Sequence, residues 1–304
     1  MKKIEVLMST YNGEKYVERQ ILSILQQTGV EVHLTIRDDG SRDRTTLIIE
    51  DMMMENPNLS LIKADNVGYK KSFLGLLSIC QDADYYAFAD QDDVWLDTKL
   101  IEAVRILDQE PDDIKLYASN LILVDENLDE IGRTKFKSAH SKLRSDFTRH
   151  RYAGCTYVMS HSLRQMATRI NEKEYPLKGF PTHDAFISAL AFCCGSVMLD
   201  ERAFIQHVRL NSSVTPGGNG IMKRLKTERD MVFNNENTKF TLASILWDLY
   251  EHDMNSDARR FLSFIIDYKK NISSRLRLIS ESYHTTGVLL FDIETTLKIL
   301  LLKY

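Results

Sequence analysis

Proline is scarce in this 304-residue chain, at five residues, and glycine stands at thirteen, which leaves no stretch suited to a long linker. Cysteine is scarcer still. Cys80, Cys155, Cys193 and Cys194 form no CxxC pair and no spaced framework. Cys193 and Cys194 lie together in an apolar stretch, where small buried thiols are expected, and this fits a reducing, cytoplasmic setting. Neither charge sign dominates: 39 Lys and Arg against 43 Asp and Glu give a net charge of −4, which argues against nucleic-acid binding through a basic field. The longest nearly apolar run, Ala185 to Leu199, contains Gly195 and falls short of the ~20 residues a membrane-spanning helix needs. The N-terminus enters a strand pattern with no secretory apolar segment. Neither GxGxxG nor GxxxxGK occurs, which argues against dehydrogenase and P-loop chemistry.

What the chain does have is alternation. Strand patterns at Lys3–Ser9, Val32–Arg37, Leu59–Ala64 and Tyr85–Ala89 are interleaved with helical patterns at Glu14–Gln27, 42–55 and Tyr69–Cys80. Short apolar strands bounded by polar turns and followed by helices predict an α/β fold with a mostly parallel sheet. Later strands are predicted at Leu116–Val124, Thr156–Ser160 and Phe204–Leu210, and a helix at His183–Cys194. Residues 125 to 145 are predicted as a polar, partly irregular connection. A glycine-rich turn at Pro216–Gly220 precedes a helical tail, so the expected division is a catalytic domain over 1–220 and a helical extension over 221–304.

Ligands of such sheets bind beyond the carboxyl ends of the strands. Each of the first four strands ends in turn-forming polar residues: Ser9 to Gly13, Asp38 to Ser41, Asp65 to Gly68 and Asp90 to Asp93. The last is the sharpest signal. In an extended segment Asp90 and Asp92 would point the same way, and carboxylates so placed suit Mg²⁺ or Mn²⁺ shared with substrate phosphates. A solvated acidic turn capping the helix that starts near Trp95 is the bland alternative, but the buried strand before it and an exposed-looking Trp95 after it favour the metal. Asp38 and Asp39 could accept hydrogen bonds from a nucleobase or ribose, or form an Asx turn; Thr10 and Asn12 share that ambiguity. Asp184, beside His183, is a candidate general base or a helix N-terminal acid. A lone His207 near a strand end is more often structural than a ligand.

Together these residues resemble family 2 glycosyltransferases, the inverting group with the GT-A (Rossmann-like) fold. The resemblance rests on Ser9 to Tyr16, Asp38 to Asp43, Asn66 with Gly68, Asp90 to Trp95, Gly154 with Cys155, and His183 with Asp184. It implies that Thr10, Tyr11, Asn12 and Asp39 line a nucleotide pocket, with Asn66, Gly68 and Lys71 near ribose and phosphates. Asp90 would contact ribose or metal, Asp92 would hold the ion bridging the diphosphate, and His207 would be an extra metal or phosphate ligand. Trp95, Gly154, Cys155 and His183 would border the sugar pocket, and Asp184 would deprotonate the acceptor hydroxyl.

The acidic turn, the His before Asp184, and Gln206, His207 and Asn211 are similar to a bacterial rhamnosyltransferase-like subset, although Ile205 stands where that subset often has arginine. The resemblance then implies a dTDP-L-rhamnose donor and a saccharide or lipid-linked acceptor of the cell surface, with UDP-glucose or UDP-galactose as the alternative donor. Two other readings compete. A sugar-1-phosphate nucleotidyltransferase would carry a basic glycine-rich loop where Tyr11 to Glu14 stand. A non-catalytic scaffold would have no need of the intact acids.

In the helical tail, apolar stripes at Phe261, Phe264 and Ile265 and at Leu289, Leu290, Ile293, Leu297 and Leu301 are expected to pack inward. A homodimer interface or docking on an anionic membrane surface are the alternatives.

Overall fold

The computed structural model describes residues 1–136, 142–148, 150, 152–170, 181–209, 238–283, 285 and 288–304. The turn at Pro216–Gly220, Asn211 and the expected boundary at 220 lie outside the described residues. The chain forms two compact units. The first comprises residues 1–138, 152–169 and 196–210; the second comprises 139–151, 170–195 and 211–304.

The first unit is built on β1 (Lys3–Thr10), α1 (Val17–Leu25), β2 (Glu31–Asp38), α2 (Thr45–Met53), β3 (Leu59–Lys63), α3 (Tyr69–Ile79) and β4 (Tyr85–Ala89). These follow the alternation read from the sequence. Then come β5 (Val94–Trp95), α4 (Lys99–Leu107), β6 (Lys115–Val124), β7 (Glu130–Arg133), β8 (Val158–Ser160), α6 (His161–Ala167) and β9 (Ser196–Val208). They make one sheet in the order β3-β2-β1-β4-β8-β6-β9-β5, with β7 paired to β6. The run β3-β2-β1-β4 is parallel, and so is β6-β9. β8 joins the two runs through antiparallel pairing on both sides.

Strands covered on both faces read as continuous apolar runs, which is why all five residues of β4 are buried and β1 shows no alternation. Val17, Ile21 and Ile24, spaced at three and four, turn one face of α1 into this core. The connection read as irregular holds β7, a ribbon too short and polar to announce itself.

The second unit is helical: α5 (Leu143–Thr148), α7 (His183–Cys194), α8 (Thr238–Tyr250), α9 (Ser256–Asp267), α10 (Ile272–Ser282) and α11 (Leu289–Leu300). Gly195 splits the apolar run Ala185–Leu199: α7 ends before it and β9 begins after it. Phe147 and Phe261 stack edge to face at 5.7 Å between ring centroids, and Phe186, Leu246 and Ile265 complete a buried core.

The expectation for the final stripe is overturned. Phe261, Phe264 and Ile265 do pack inward, but Leu289, Leu290, Ile293, Leu297 and Leu301 are all exposed. α11 instead buries Asp292, Glu294 and Thr295 together with Ile299. Helical spacing identifies a face but not which face is covered. Among the described residues no helix is long and apolar enough to cross a membrane.

Candidate active site

In the parallel run, β1, β2 and β4 end side by side, so their terminal loops form one rim. Thr10 pairs in register with Asp38, and its hydroxyl donates to the Asp38 carboxylate at 2.8 Å. Asp38 also accepts the Ser41 backbone N–H at 2.8 Å, closing the turn after β2. The Asp39 carboxylate is buried and accepts from the Arg37 guanidinium, from the Gly68 N–H at 2.8 Å and from the Val67 N–H at 3.0 Å. Asp39 thus ties the loop bearing Asn66 and Gly68 to the end of β2. Gly68 takes φ +80°, a conformation favouring glycine, where α3 begins. Asn66 is exposed, and Lys71 stands half-buried in the first turn of α3.

The other side of the rim is held by Gln91. Its Oε1 accepts the Tyr11 N–H at 2.9 Å, and its Nε2 donates to the Tyr11 carbonyl at 3.1 Å. Gly13 makes this possible, because a Cβ there would lie 2.4 Å from Gln91 Oε1. Asn12, at φ 49°, receives no Ser41 proton but gives its own N–H to the Ser41 hydroxyl, while its side-chain oxygen accepts from Arg42. The Tyr11 ring is exposed above this rim.

Below it lies the acidic turn. β4 ends at Ala89, the chain turns over Asp90 to Asp93, and β5 pairs antiparallel with β9 through Val94 with Gln206 and Trp95 with Ile205. That register sets Asp93 opposite His207, and Asp93 Oδ1 lies 2.8 Å from His207 Nδ1. One ligand atom each from Asp90, Asp93, Cys155 and His207 lies within 4.8 Å of all the others. Cys155 arrives on a short turn, Gly154–Thr156, whose three residues are buried. Asp92 is not among the four, though it shares the turn.

The electrostatics are those of crowded acids. Burial and the charge of Asp93 push Asp92 up to about 6. Burial would lower His207, but the charges of Asp93 and Asp90 outweigh it and raise it to about 9. Burial, reinforced by Asp93 and Asp90, pushes the Cys155 thiol well up, so Cys155 is a neutral thiol in this state. Asp93 Oδ2 is buried with no hydrogen-bond partner. A cation fits this place: an unsatisfied carboxylate oxygen, a second carboxylate and, on giving up its proton, the His207 imidazole would be donors for Mn²⁺ or Mg²⁺.

The exposed tryptophan expected after the turn is not there: Trp95 is 3% exposed. The Lys99 ammonium lies 3.4 Å from its ring centroid, a buried cation–π contact, and burial pulls Lys99 down to about 7. With Arg19, Leu22 and Ser23, Trp95 lines a cavity of about 430 Å³. Lys99 carried no signal in the sequence beyond its place in an amphipathic helix.

In the second unit, His183 and Asp184 open α7 as expected. His183 is buried and lowered to about 4 by burial. Asp184 Oδ1 accepts the Ala185 N–H at 2.8 Å, and its Oδ2 lies 3.5 Å from His150 Nε2. His150 Nδ1 in turn lies 2.8 Å from Asp146 Oδ1. Sequence reading missed Asp146 and His150; their spacing of four, with Asp146 on α5 and His150 beyond its end, was the available signal.

The fold and the acidic turn at the strand ends define an α/β glycosyltransferase of the GT-A type. The solved TarS fragment 1–349 of S. aureus in complex with UDP covers 98% of this chain and 90% of its own, at a TM-score of 0.56 and 16% identity. A mannosyltransferase from Pyrobaculum calidifontis, solved with GDP-Man and Mn²⁺, covers 100% of this chain and 88% of its own at a TM-score of 0.52 and 15% identity. The chain belongs to glycosyl transferase family 2, whose sequence model matches residues 5–170. Among curated relatives it is 30% identical over 192 residues to a dTDP-rhamnosyl transferase, RfbG, of Shigella flexneri. That match spans 60% of this chain and 64% of the relative's length.

Proposed function

We propose that this enzyme transfers L-rhamnose from dTDP-L-rhamnose to an acceptor hydroxyl of a cell-surface saccharide or its lipid-linked precursor, inverting the anomeric centre. The observation that carries the reading is the gathering of Asp90, Asp93 and His207 at the end of β4, with one Asp93 oxygen left unsatisfied. The likeness to the Shigella rhamnosyl transferase supports the donor.

Asp90, Asp93 and His207 would hold Mn²⁺ or Mg²⁺, with Asp92 joining from the same turn. When bound, the ion supplies charge neutralisation for the departing diphosphate, which then needs no proton donor. Thr10, Tyr11, Asn12 and Asp39 shape the nucleotide pocket, and Asn66, Gly68 and Lys71 approach ribose and phosphates. Trp95, Gly154, Cys155 and His183 border the sugar. Asp184 takes the proton of the acceptor hydroxyl as its oxygen bonds to the anomeric carbon. The bond from that carbon to the phosphate oxygen breaks, and its electron pair leaves with the diphosphate.

The outward apolar stripe of α11 supports attachment at the inner face of the cell membrane, with a homodimer as the competing use of the stripe. A screen of donor hydrolysis across nucleotide sugars with Mn²⁺ or Mg²⁺ tests the donor. Turnover of dTDP-rhamnose above all others is the expected result. Preference for UDP-glucose or UDP-galactose replaces the donor, and pyrophosphate release from a nucleoside triphosphate replaces the reaction.

A further inference from the structure

We infer that His150 and Asp146 are positioning residues for Asp184, an ion-paired clamp that holds the base ionised and fixed in orientation. The inference rests on the reading of Asp184 as the base and deepens it. The geometry is a chain of three groups within the second unit. Asp146 Oδ2 accepts the Ser188 hydroxyl at 2.8 Å, Asp146 Oδ1 meets His150 Nδ1 at 2.8 Å, and His150 Nε2 faces Asp184 Oδ2 at 3.5 Å. Asp146 is buried, and the side chains of His150 and Asp184 are 16% and 21% exposed. With Nδ1 committed to Asp146, the ring is aimed through Nε2 at the base, the orienting role a carboxylate plays behind a histidine.

An imidazole between two carboxylates is favoured as imidazolium. Burial opposes this, but the charges of Asp146 and Asp184 win and raise His150 to about 10. For Asp184, burial would raise its value, but the His150 charge and hydrogen bond outweigh it and hold it well below the usual carboxylate range. The other groups around the clamp do not cancel it. His183, lowered to about 4, is neutral at ordinary pH. Cys193 and Tyr304, which also feel Asp146, are held protonated by burial. Arg144, on the same helix as Asp146, is engaged by Asp257 and Glu281.

A base held so acidic still suits this reaction. The acceptor oxygen gives up its proton after bonding to the anomeric carbon has begun, when it is far more acidic than a free alcohol. His150 keeps its own proton throughout.

The test uses the full chain and the variants His150→Gln, Asp146→Asn and Asp184→Asn. The first readout is nitrogen NMR of histidine-labelled protein and needs no substrate. Two imidazoles, those of His150 and His207, should stay doubly protonated at about pH 8, where a free histidine is neutral. The signal that vanishes in His150→Gln belongs to His150, and it should titrate at lower pH in the two Asn variants. The second readout is the pH profile of kcat for sugar transfer, in which His150→Gln should move the acid limb up by about 1–3 pH units with donor KM unchanged. A neutral His150 in the folded wild type overturns the clamp, and so does an unshifted acid limb in His150→Gln. If that variant fails to fold, the wild-type spectrum decides. Normal transfer by Asp184→Asn instead overturns the assignment of the base. An inactive Asp184→Asn beside an unshifted His150→Gln removes the clamp alone.

Discussion

Asp93 and His207 sit opposite each other across a two-residue antiparallel ladder, with Asp93 Oδ1 2.8 Å from His207 Nδ1 and Asp93 Oδ2 buried without a partner. An oxygen in that state is costly unless a cation or donor reaches it. Titration calorimetry of dTDP in the presence of Mn²⁺ should therefore show Asp93→Asn binding about 10–100-fold more weakly than wild type. The gap should close when the ion is chelated. Equal weakening with and without Mn²⁺ would mean that Asp93 shapes the pocket and holds no ion.

Gln91 makes a different kind of prediction, since it acts on the rim through two hydrogen bonds to Tyr11. Gly13→Ala places a methyl 2.4 Å from Gln91 Oε1, and the end of a flexible side chain gives way before backbone does. The clasp is then lost, at about 1–2 kcal/mol of stability. Donor KM should rise while kcat changes little. A fall in kcat at constant KM would place Gly13 nearer the chemistry than the rim.

Asp39 is held by Arg37 and by two backbone N–H groups of the loop after β3. Removing one partner of a buried ion pair strands the other, so Asp39→Ala should cost about 3–5 kcal/mol in a denaturant midpoint. The loop carrying Asn66 and Gly68 should also become accessible to proteolysis. Wild-type stability with lost nucleotide binding would instead make Asp39 a pure ligand residue.

The pH dependence of stability follows from His150. Its value rises from 6.5 to about 10 on folding, so its contribution is fully present below about 6.5 and is lost as pH climbs through about 10. The stability difference between wild type and His150→Gln, measured by urea unfolding, should shrink steadily between those limits. A difference that grows across this window would place an unprotonated ring between the carboxylates.

Much of the first unit was legible in the sequence because parallel strands buried on both faces leave apolar runs, and the turns between them need Asp, Asn and Gly. The acidic turn was found for the same reason. Which of its acids converge was not. The alternation argument selected Asp90 and Asp92, but the chain turns after Asp90, so a period of two does not apply there. The partner of Asp93 is fixed by β5, two residues long and paired with a strand more than a hundred positions on, and no local pattern encodes that register. Trp95 looked exposed because it follows polar residues, yet Lys99, four positions on at the start of α4, covers its ring. Asp146 and His150 fell between the connection read at 125–145 and the strand read at Thr156–Ser160, where a single i, i+4 pair carries little weight.

α11 inverts the usual order of substitution effects. Its apolar residues Ile293 and Leu297 face solvent while Asp292 and Thr295 face the protein. In a covered helix, replacing Ile or Leu by Ser opens a cavity and costs several kcal/mol. Here Ile293→Ser and Leu297→Ser should change monomer stability by no more than about 0.5 kcal/mol. Glu294→Ala should cost about 1–3 kcal/mol, because it strands the half-buried Lys298 ammonium that pairs with Glu294. Urea unfolding at low protein concentration, without lipid, measures both. The opposite ranking would mean that α11 turns its apolar stripe inward, and the surface proposed for membrane or self-association would no longer exist.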